Sequence, residues 1–503
     1  MNDLKKRFGD RNLSIFFYLF SISFLYIFPI LLANRYYIDD LGRGLYGYSR
    51  WKLDGRPLAN VLMQILNFGK PLLDLSPITQ ILSIFVLSIS LTFYANKYFK
   101  KGSAFSVSVC LFLFVGSPFL IQNLSYKYDS VTMVLSLVSI ILCFSIKMDS
   151  LFRKFLGSLL VVADLSMYQA SLGLFFILCV MEIIYNIYEN NFHAKEVFST
   201  LAFRIGQFLL GYLIYVKVIL KNSNLDEYSQ GHSGTLPFDA KSFYIFITNM
   251  KEFLSEIQIA VMSLPKFLIA FYLLVIFLFS FKVVVKSKYN IFASIVSIIA
   301  PFLCLIFTFI HVCVLHNPVF GPRVLLSFCG FMLFLSFCVY NSFGKFSVYA
   351  FMPLVYFFFF LSYSYSNASA AQNRIDTFVA SSIAYDESHY NGQFKTLSII
   401  GTMPEAKQRK LIVKKLPMMD ALIPIYMSDA SCWGGELLKS FLIKEDQRDA
   451  DAADFSFIKE NKPFVVSQYY SLYAKKEKMI IVFNKANAGE SSVKYGGAPK
   501  DML

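Results

Sequence analysis

Charge is scarce in this chain. Only 16% of its 503 residues are Asp, Glu, Lys or Arg, against about 25% in an ordinary soluble protein, too few to cover a water-facing globule of this size. The scarcity excludes a nucleic-acid reading of the +14 net charge, because basic residues in so apolar a chain are better explained by orientation in a membrane. The eight cysteines offer no disulfide framework. Cys110, Cys143, Cys179, Cys304, Cys329 and Cys338 lie inside apolar runs, Cys313 near the end of one, and only Cys432 in the polar C-terminal region, where it has no partner. Nor are they spaced as zinc ligands. Histidine is rarer still: His232 sits in a turn-like "GHSGT", and His311 and His316 flank a span end without ligand spacing. No cofactor and no Cys or His metal site are therefore expected; a requirement for a divalent metal is not legible in the sequence. The absence of an internal repeat removes support for a transporter built from inverted halves.

What is present is grease: 56% hydrophobic residues, 55 phenylalanines and a positive mean hydropathy, which together read as a polytopic α-helical membrane protein. Apolar runs fall at roughly 13–33, 77–95, 104–122, 130–146, 151–188, 200–220, 262–281, 289–312, 323–341 and 347–363. The first has no small-residue cleavage pattern and is expected to be a retained span. The run 151–188 is too long for one span: it would reach about 55 Å as a helix, against a hydrocarbon core of about 30 Å. Its middle, "ADLSMYQAS", carries Asp164 and Gln169, and a carboxylate at mid-bilayer costs at least about 2.5–3.5 kcal/mol. Splitting it there gives about eleven spans. With the N-terminus in the cytoplasm, the split also keeps "KVVVKSK" (282–288) with the other basic connections at 5–11, 96–101, 147–154, 189–196 and 341–345, as the positive-inside rule requires.

The expected division is a membrane domain over 1–365, with a first outer loop at 34–76, and a water-soluble α/β domain over 366–503. In the latter "FKTLSIIG", "PFVVSQYY" and "KMIIVFNK" read as strands, and Arg374 to Ala384 and "GGELLKSFLI" as helices.

Polar groups collect on the outer side. The first loop supplies Asp39, Asp40, Arg43, Trp51, Asp54, Arg56 and Lys70; "NLSYKYDS" supplies Tyr126, Lys127 and Asp129; the split turn supplies Asp164, Tyr168 and Gln169; "HNPVFGPR" supplies His316 and Arg323. This set suits sugar transfer from a lipid-linked phosphate. A carboxylate takes the proton of the attacking hydroxyl, Arg or Lys meets the charge growing on the departing phosphate, and aromatic faces suit a sugar ring. Asp39 and Asp40 are the candidate catalytic acids. Arg43, Arg56, Arg323 and Lys127 are candidates for the donor's phosphate and sugar, and Trp51, Asp129, Tyr168 and Gln169 for sugar contacts.

The stretch "YYIDDLGRGLYGYSRWKLDGRPLANVLMQILNFGKPLLDLSPITQIL", with "LSYKYDSVTM" and "MYQASLG", resembles the serotype-converting, phage-type O-antigen glucosyltransferases over roughly residues 10–345. The resemblance implies a GT-C-like multispan fold in the bacterial inner membrane, with the C-terminal domain in the periplasm. It also implies an undecaprenyl-phosphate-glucose donor, a lipid-linked O-antigen acceptor, and a polyprenyl-phosphate glucose synthase and a flippase as functional partners. Enzymes of that class carry a catalytic carboxylate in the first outer loop, which matches Asp39 or Asp40, and usually invert the anomeric centre.

Each residue also has a purely structural reading. Asp39 and Asp40 could cap a helix or pair with Arg35 or Arg43. Arg56 could simply sit in a turn, Trp51 could anchor at the interface, Asp129 could cap a span or pair with Lys127, and Arg323 could snorkel to headgroups. Glu182, late in a span, reads as structural. The competing functions are a polysaccharide polymerase or ligase, which would favour a large central outer loop, and a lipid-linked sugar flippase, which would carry charges deep in several spans. A membrane acyltransferase would need a deep histidine.

Overall fold

The computed structural model describes residues 9–190 and 193–483; Lys5, Lys6 and Arg7 of the N-terminal basic cluster and residues 191–192 of the 189–196 connection lie outside these. The chain is mostly helical and divides into two compact units. One comprises residues 1–28, 49–70 and 75–362, the other 29–48, 71–74 and 363–503. The second unit thus gathers part of the first outer loop as well as the C-terminal region.

The helices are α1 (Asp10–Ala33), α2 (Asp40–Tyr46), α3 (Pro57–Leu66), α4 (Ile78–Tyr98), α5 (Ala104–Val115), α6 (Leu120–Ser125), α7 (Ser130–Ser145) and α8 (Leu151–Met167). They continue as α9 (Gly173–Asn190), α10 (Ala194–Ile214), α11 (Glu227–Ser233), α12 (Ala240–Met262), α13 (Lys266–Lys286), α14 (Ile291–Ile306), α15 (Ile310–Cys313), α16 (Phe328–Phe343) and α17 (Ser347–Ser388). Among the described residues six helical segments are long and apolar enough to cross a membrane: α1, α4, Gln169–Glu189, Ala194–Asn222, α13 and Pro322–Ser388; α3, α5, α7 and α14 are shorter apolar helices. Helices such as α13 and α14 expose large apolar side chains, among them Phe277, Leu273, Phe302 and Ile298. A helix apolar on its outward face needs a non-aqueous solvent.

Local chemistry explains where helices stop. The run 104–122 breaks at Gly116-Ser117-Pro118, where proline has no N–H to continue the ladder. The run 151–188 breaks at its polar middle. There α8 ends at Met167, Tyr168 is extended (φ −160°, ψ 104°), and Gln169–Ser171 forms one 3-10 turn before α9. Side-chain caps fix several starts: Ser103, Ser150, Asp239 and Asn290 each accept the backbone N–H three residues on. The last apolar run continues without interruption into the polar sequence beyond it. Helix α17 is 42 residues long, about 63 Å at 1.5 Å per residue, so the expected boundary at 365/366 falls inside a helix.

The second unit is built on a five-stranded sheet. Its strands are β1 (Thr396–Ile400), β2 (Asp446–Gln447), β3 (Val465–Val466), β4 (Tyr470–Lys475) and β5 (Lys478–Phe483), in the order β2-β1-β5-β4-β3. β1 runs parallel to both neighbours and β4 antiparallel to both of its own. Leu397, Ile399, Leu472, Met479 and Ile481 alternate into a core closed by Leu438, Met427, Val379 and Ile383, as a period-two pattern dictates. Leu41 of α2 belongs to that same core. The residues on both sides of the acidic pair, Ile38 before it and Leu41 after it, are therefore held by the C-terminal region.

Candidate active site

In the first unit the site grows from a turn. Trp51 O accepts the N–H of Asp54 (3.1 Å) and of Arg56 (2.8 Å), so "WKLDGRP" closes on itself, and Pro57 starts α3 where its missing N–H costs nothing. Gly55 has φ +71°, and a Cβ there would lie 3.0 Å from Tyr215 Oη; both the backbone and the space demand glycine. Trp51 is 1% exposed, and its indole N–H donates to Asp129 Oδ1. The ring is enclosed by protein rather than lying at an interface.

Gln169 is the hub. Its Oε1 accepts Arg56 Nε–H at 2.9 Å, and its Nε2 donates to Asp54 O (3.2 Å) and Tyr215 Oη (3.0 Å), while Tyr215 in turn donates to Gly55 O (3.0 Å). With both amide hydrogens and the oxygen engaged, Gln169 positions other groups. Arg56 also lies over the Tyr168 ring, 4.7 Å from its centroid. These contacts immobilise the Nε side of the guanidinium, and neither Nη makes a hydrogen bond or ion pair among the described residues. That is an aimed cationic donor pair, suited to a phosphate oxygen.

Tyr168 Oη donates to Arg323 O (3.3 Å), Arg323 N donates to Gln122 Oε1 (2.5 Å), and Arg323 Nη1 donates to Tyr126 Oη (2.5 Å). Arg323 is thus docked into the unit rather than extended to headgroups. Lys127 is buried, and its carbonyl accepts Thr79 Oγ1 at 2.6 Å. Asp129, 3% exposed, stands at the N-cap position of α7 but makes no side-chain cap bond; its carboxylate is turned to Trp51 instead. Trp51, Arg56, Asp129, Tyr168, Gln169 and Arg323 therefore join in one connected set.

In the second unit the acidic pair opens α2. Asp39 stands at the N-cap position without a side-chain cap bond. Asp40 is fully buried, its Oδ2 accepting Tyr37 N–H at 3.2 Å, and Asp39 is the more accessible of the two. Arg35 is committed elsewhere: it pairs with Asp376 (2.7 Å), donates to Pro424 O (2.6 Å) and covers the Tyr426 ring at 4.4 Å. Ile38, just before the pair, has φ +47°, a costly conformation for a β-branched residue. It is held by Tyr426 Oη, which accepts Ile38 N–H (3.2 Å) and donates to Tyr36 O (2.7 Å). Arg43 is buried, its guanidinium 5.7 Å from the Tyr48 ring centroid. Cys432 reaches the surface, but partial burial of its sulfur, and after it the charge of Asp39, push the thiol up to about 11.

Sequence reasoning passed over Tyr215, Gln122 and Tyr426. Tyr215 opens a π-helical turn, Tyr215–Ile219, of the kind that marks functional positions, but nothing local in "YVKVI" announces it. Among the described residues no group of three or more His, Cys, Asp or Glu could hold a metal ion.

The fold is that of a mostly helical protein with six helical segments, among the described residues, apolar enough to cross a membrane, and it carries a connected network rich in arginine and tyrosine. Residues 28–340 match the family described as glucosyl transferase GtrII, more than half of the chain, and the chain belongs to that family. It is also 29% identical, over 453 residues, to an uncharacterized 55.3 kDa protein in the gtrB 5′ region of Salmonella phage P22, covering 87% of this chain and 92% of that protein. No solved structure matches the chain at a significant level.

Proposed function

We propose that this protein transfers glucose from undecaprenyl-phosphate-glucose to an O-antigen repeat unit at the periplasmic face of the bacterial inner membrane. About eleven spans of GT-C-like arrangement would carry the site, with the N-terminus cytoplasmic and the C-terminal unit periplasmic. In the reaction an acceptor hydroxyl attacks the anomeric carbon and its proton passes to a carboxylate. The bond from that carbon to the phosphate oxygen breaks, and the electron pair leaves with the polyprenyl phosphate. Asp39 is the proposed base, with Asp40 buried behind it to fix the start of α2. Arg56, Arg323, Arg43 and Lys127 are proposed for the donor phosphate, and Asp129 for a sugar hydroxyl. Trp51, Tyr168 and Gln169 would serve by holding Asp129 and Arg56.

The observation that carries this reading is the family match, which runs across the acidic pair and the whole arginine–tyrosine network. The unengaged Nη groups of Arg56 supply what a leaving phosphate needs, and a relative in a phage gtrB region fits the same role. A polyprenyl-phosphate glucose synthase and a flippase would deliver the donor. The test is expression with such partners in a host of known O-antigen, followed by mass analysis of its lipopolysaccharide. One added hexose per repeat is expected. No added hexose with any acceptor would favour a polymerase or ligase.

A further inference from the structure

Asp164 is fully buried at the end of α8, and the network above does not use it. Its Oδ1 is within hydrogen-bond distance of Ser171 Oγ, and the same Oγ lies 2.5 Å from Tyr168 O. A serine hydroxyl has one hydrogen, and a backbone carbonyl has none. A single hydrogen can serve both contacts only as a shared, three-centre bond, whereas a proton on the carboxyl group gives each contact a hydrogen of its own. The consistent arrangement is Asp164 Oδ1–H donating to Ser171 Oγ, and Ser171 Oγ–H donating to Tyr168 O.

The surroundings agree. Asp164 forms no ion pair among the described residues, and its Oδ2 has no hydrogen-bond partner; an ionised carboxylate left in that state would be far costlier than a neutral acid. The next carbonyl of the turn, Ala170 O, is met by Ser327 Oγ at 3.1 Å and His311 Nε2 at 3.2 Å, with His311 Nδ1 buried and unpartnered. The other titratable group close by is Tyr215, whose hydroxyl serves Gly55 and Gln169.

We infer that Asp164 is a positioning residue: a neutral acid whose single proton, relayed through Ser171, locks the Tyr168–Ser171 turn that presents Tyr168 and Gln169 to Arg56. This rests on the function proposed above only for its activity readout. An amide in place of the acid keeps a donor for Ser171, so Asp164→Asn should retain hexose addition within about twofold, whereas Asp164→Ala and Ser171→Ala should lose most of it. A carboxylate acting as a base would show the opposite pattern, since Asn cannot replace it. The activity-independent readout is infrared difference spectroscopy of the purified full-length chain at neutral pH. A protonated-carboxyl carbonyl band should be present in wild type and absent in Asp164→Asn. In Ser171→Ala it should persist but shift to higher frequency as the acid loses its acceptor, which decides the matter even if Asp164→Asn accumulates poorly. Loss of activity in a well-folded Asp164→Asn, or the absence of the band, overturns the inference. Absence of hexose from every variant and from wild type, with the band present, overturns the proposed function and leaves the protonation intact.

Discussion

Two charged clusters in the first unit, one buried and one half-buried, stand at opposite ends of α4. At its last turn Glu182 accepts Lys97 Nζ (2.7 Å), Arg204 Nε (2.7 Å) and Nη2 (3.0 Å), and Tyr98 Oη (3.2 Å), while Arg204 Nη1 goes to Gln207 Oε1 (2.8 Å). The phenyl ring of Phe144 covers the guanidinium at 4.1 Å. Near the first turn, beyond Thr79 and Lys127, Arg56 is clamped on its Nε side, with both Nη groups unengaged. The helix between is 21 residues, about 31 Å long, roughly one hydrocarbon thickness. The first cluster is saturated: opposite charges meet, hydrogen bonds are complete, and the result ties α4, α9 and α10 together. In the second, the Arg56 Nη groups meet no anion among the described residues, which is what a binding site for one looks like. A buried charge is informative about function in proportion to what its neighbours leave unused.

Mutations can break this comparison from either side. The largest loss is expected at Asp39, outside both clusters: Asp39→Asn should reduce hexose addition by about 10²–10⁴-fold, the usual worth of a general base, at normal membrane levels. Full retention would shift the role to Asp40. Next, Glu182→Gln leaves Arg204 and Lys97 without their acid; breaking a buried pair costs about 3–5 kcal/mol. Membrane accumulation and thermal stability should fall while activity per folded molecule persists. Arg56→Lys should do the reverse, with normal stability and activity down about tenfold or more, because an ammonium reproduces neither the Gln169 bond nor a forked contact. If the Arg56 and Glu182 variants gave the same phenotype, the distinction between saturated and unsaturated clusters would fall. Trp51→Phe removes one donor from buried Asp129, about 1–3 kcal/mol, and should reduce activity in proportion without changing accumulation.

The smallest effect concerns pH. Burial, reinforced by Glu252, pushes the Glu256 carboxyl up from 4.5 to about 7. A raised acid pKa in the folded state gives stability that is complete below 4.5 and is lost as pH climbs through 7. Thermal melts should therefore weaken across that window, and Glu256→Gln should flatten the slope.

Much of this arrangement was legible in the residues. The break in 151–188 was announced by Asp164 and Gln169 inside grease, since lipid tolerates no unpaired carboxylate or amide. Strands β1 and β5 were evident from "TLSII" and "KMIIVF". The length of the last helix was not. The shift from "FFFF" to "SYSNAS" read as a boundary, yet no Pro or Gly stands between Pro353 and Gly392, so nothing stops the helix. Nor could sequence show that Arg35 meets Asp376, 341 residues away, or that Leu41 completes the core of a C-terminal sheet. Long-range pairings leave no local pattern. The readings of Asp39 as a cap, of Arg35 as its ion-pair partner and of Trp51 as an interfacial anchor gave way for related reasons: each local partner was outcompeted by a distant one or not taken.

The central claim is that the acidic pair works on the outer side of the membrane, and Cys432 is a native reporter of it. It is exposed, close to Asp39, and distinct from the other seven cysteines, which are buried or partly so. A membrane-impermeant maleimide, applied to intact spheroplasts at mildly alkaline pH, should label the wild-type chain and leave Cys432→Ser unlabelled. Labelling of Cys432 only after lysis would place the acids in the cytoplasm and contradict the account.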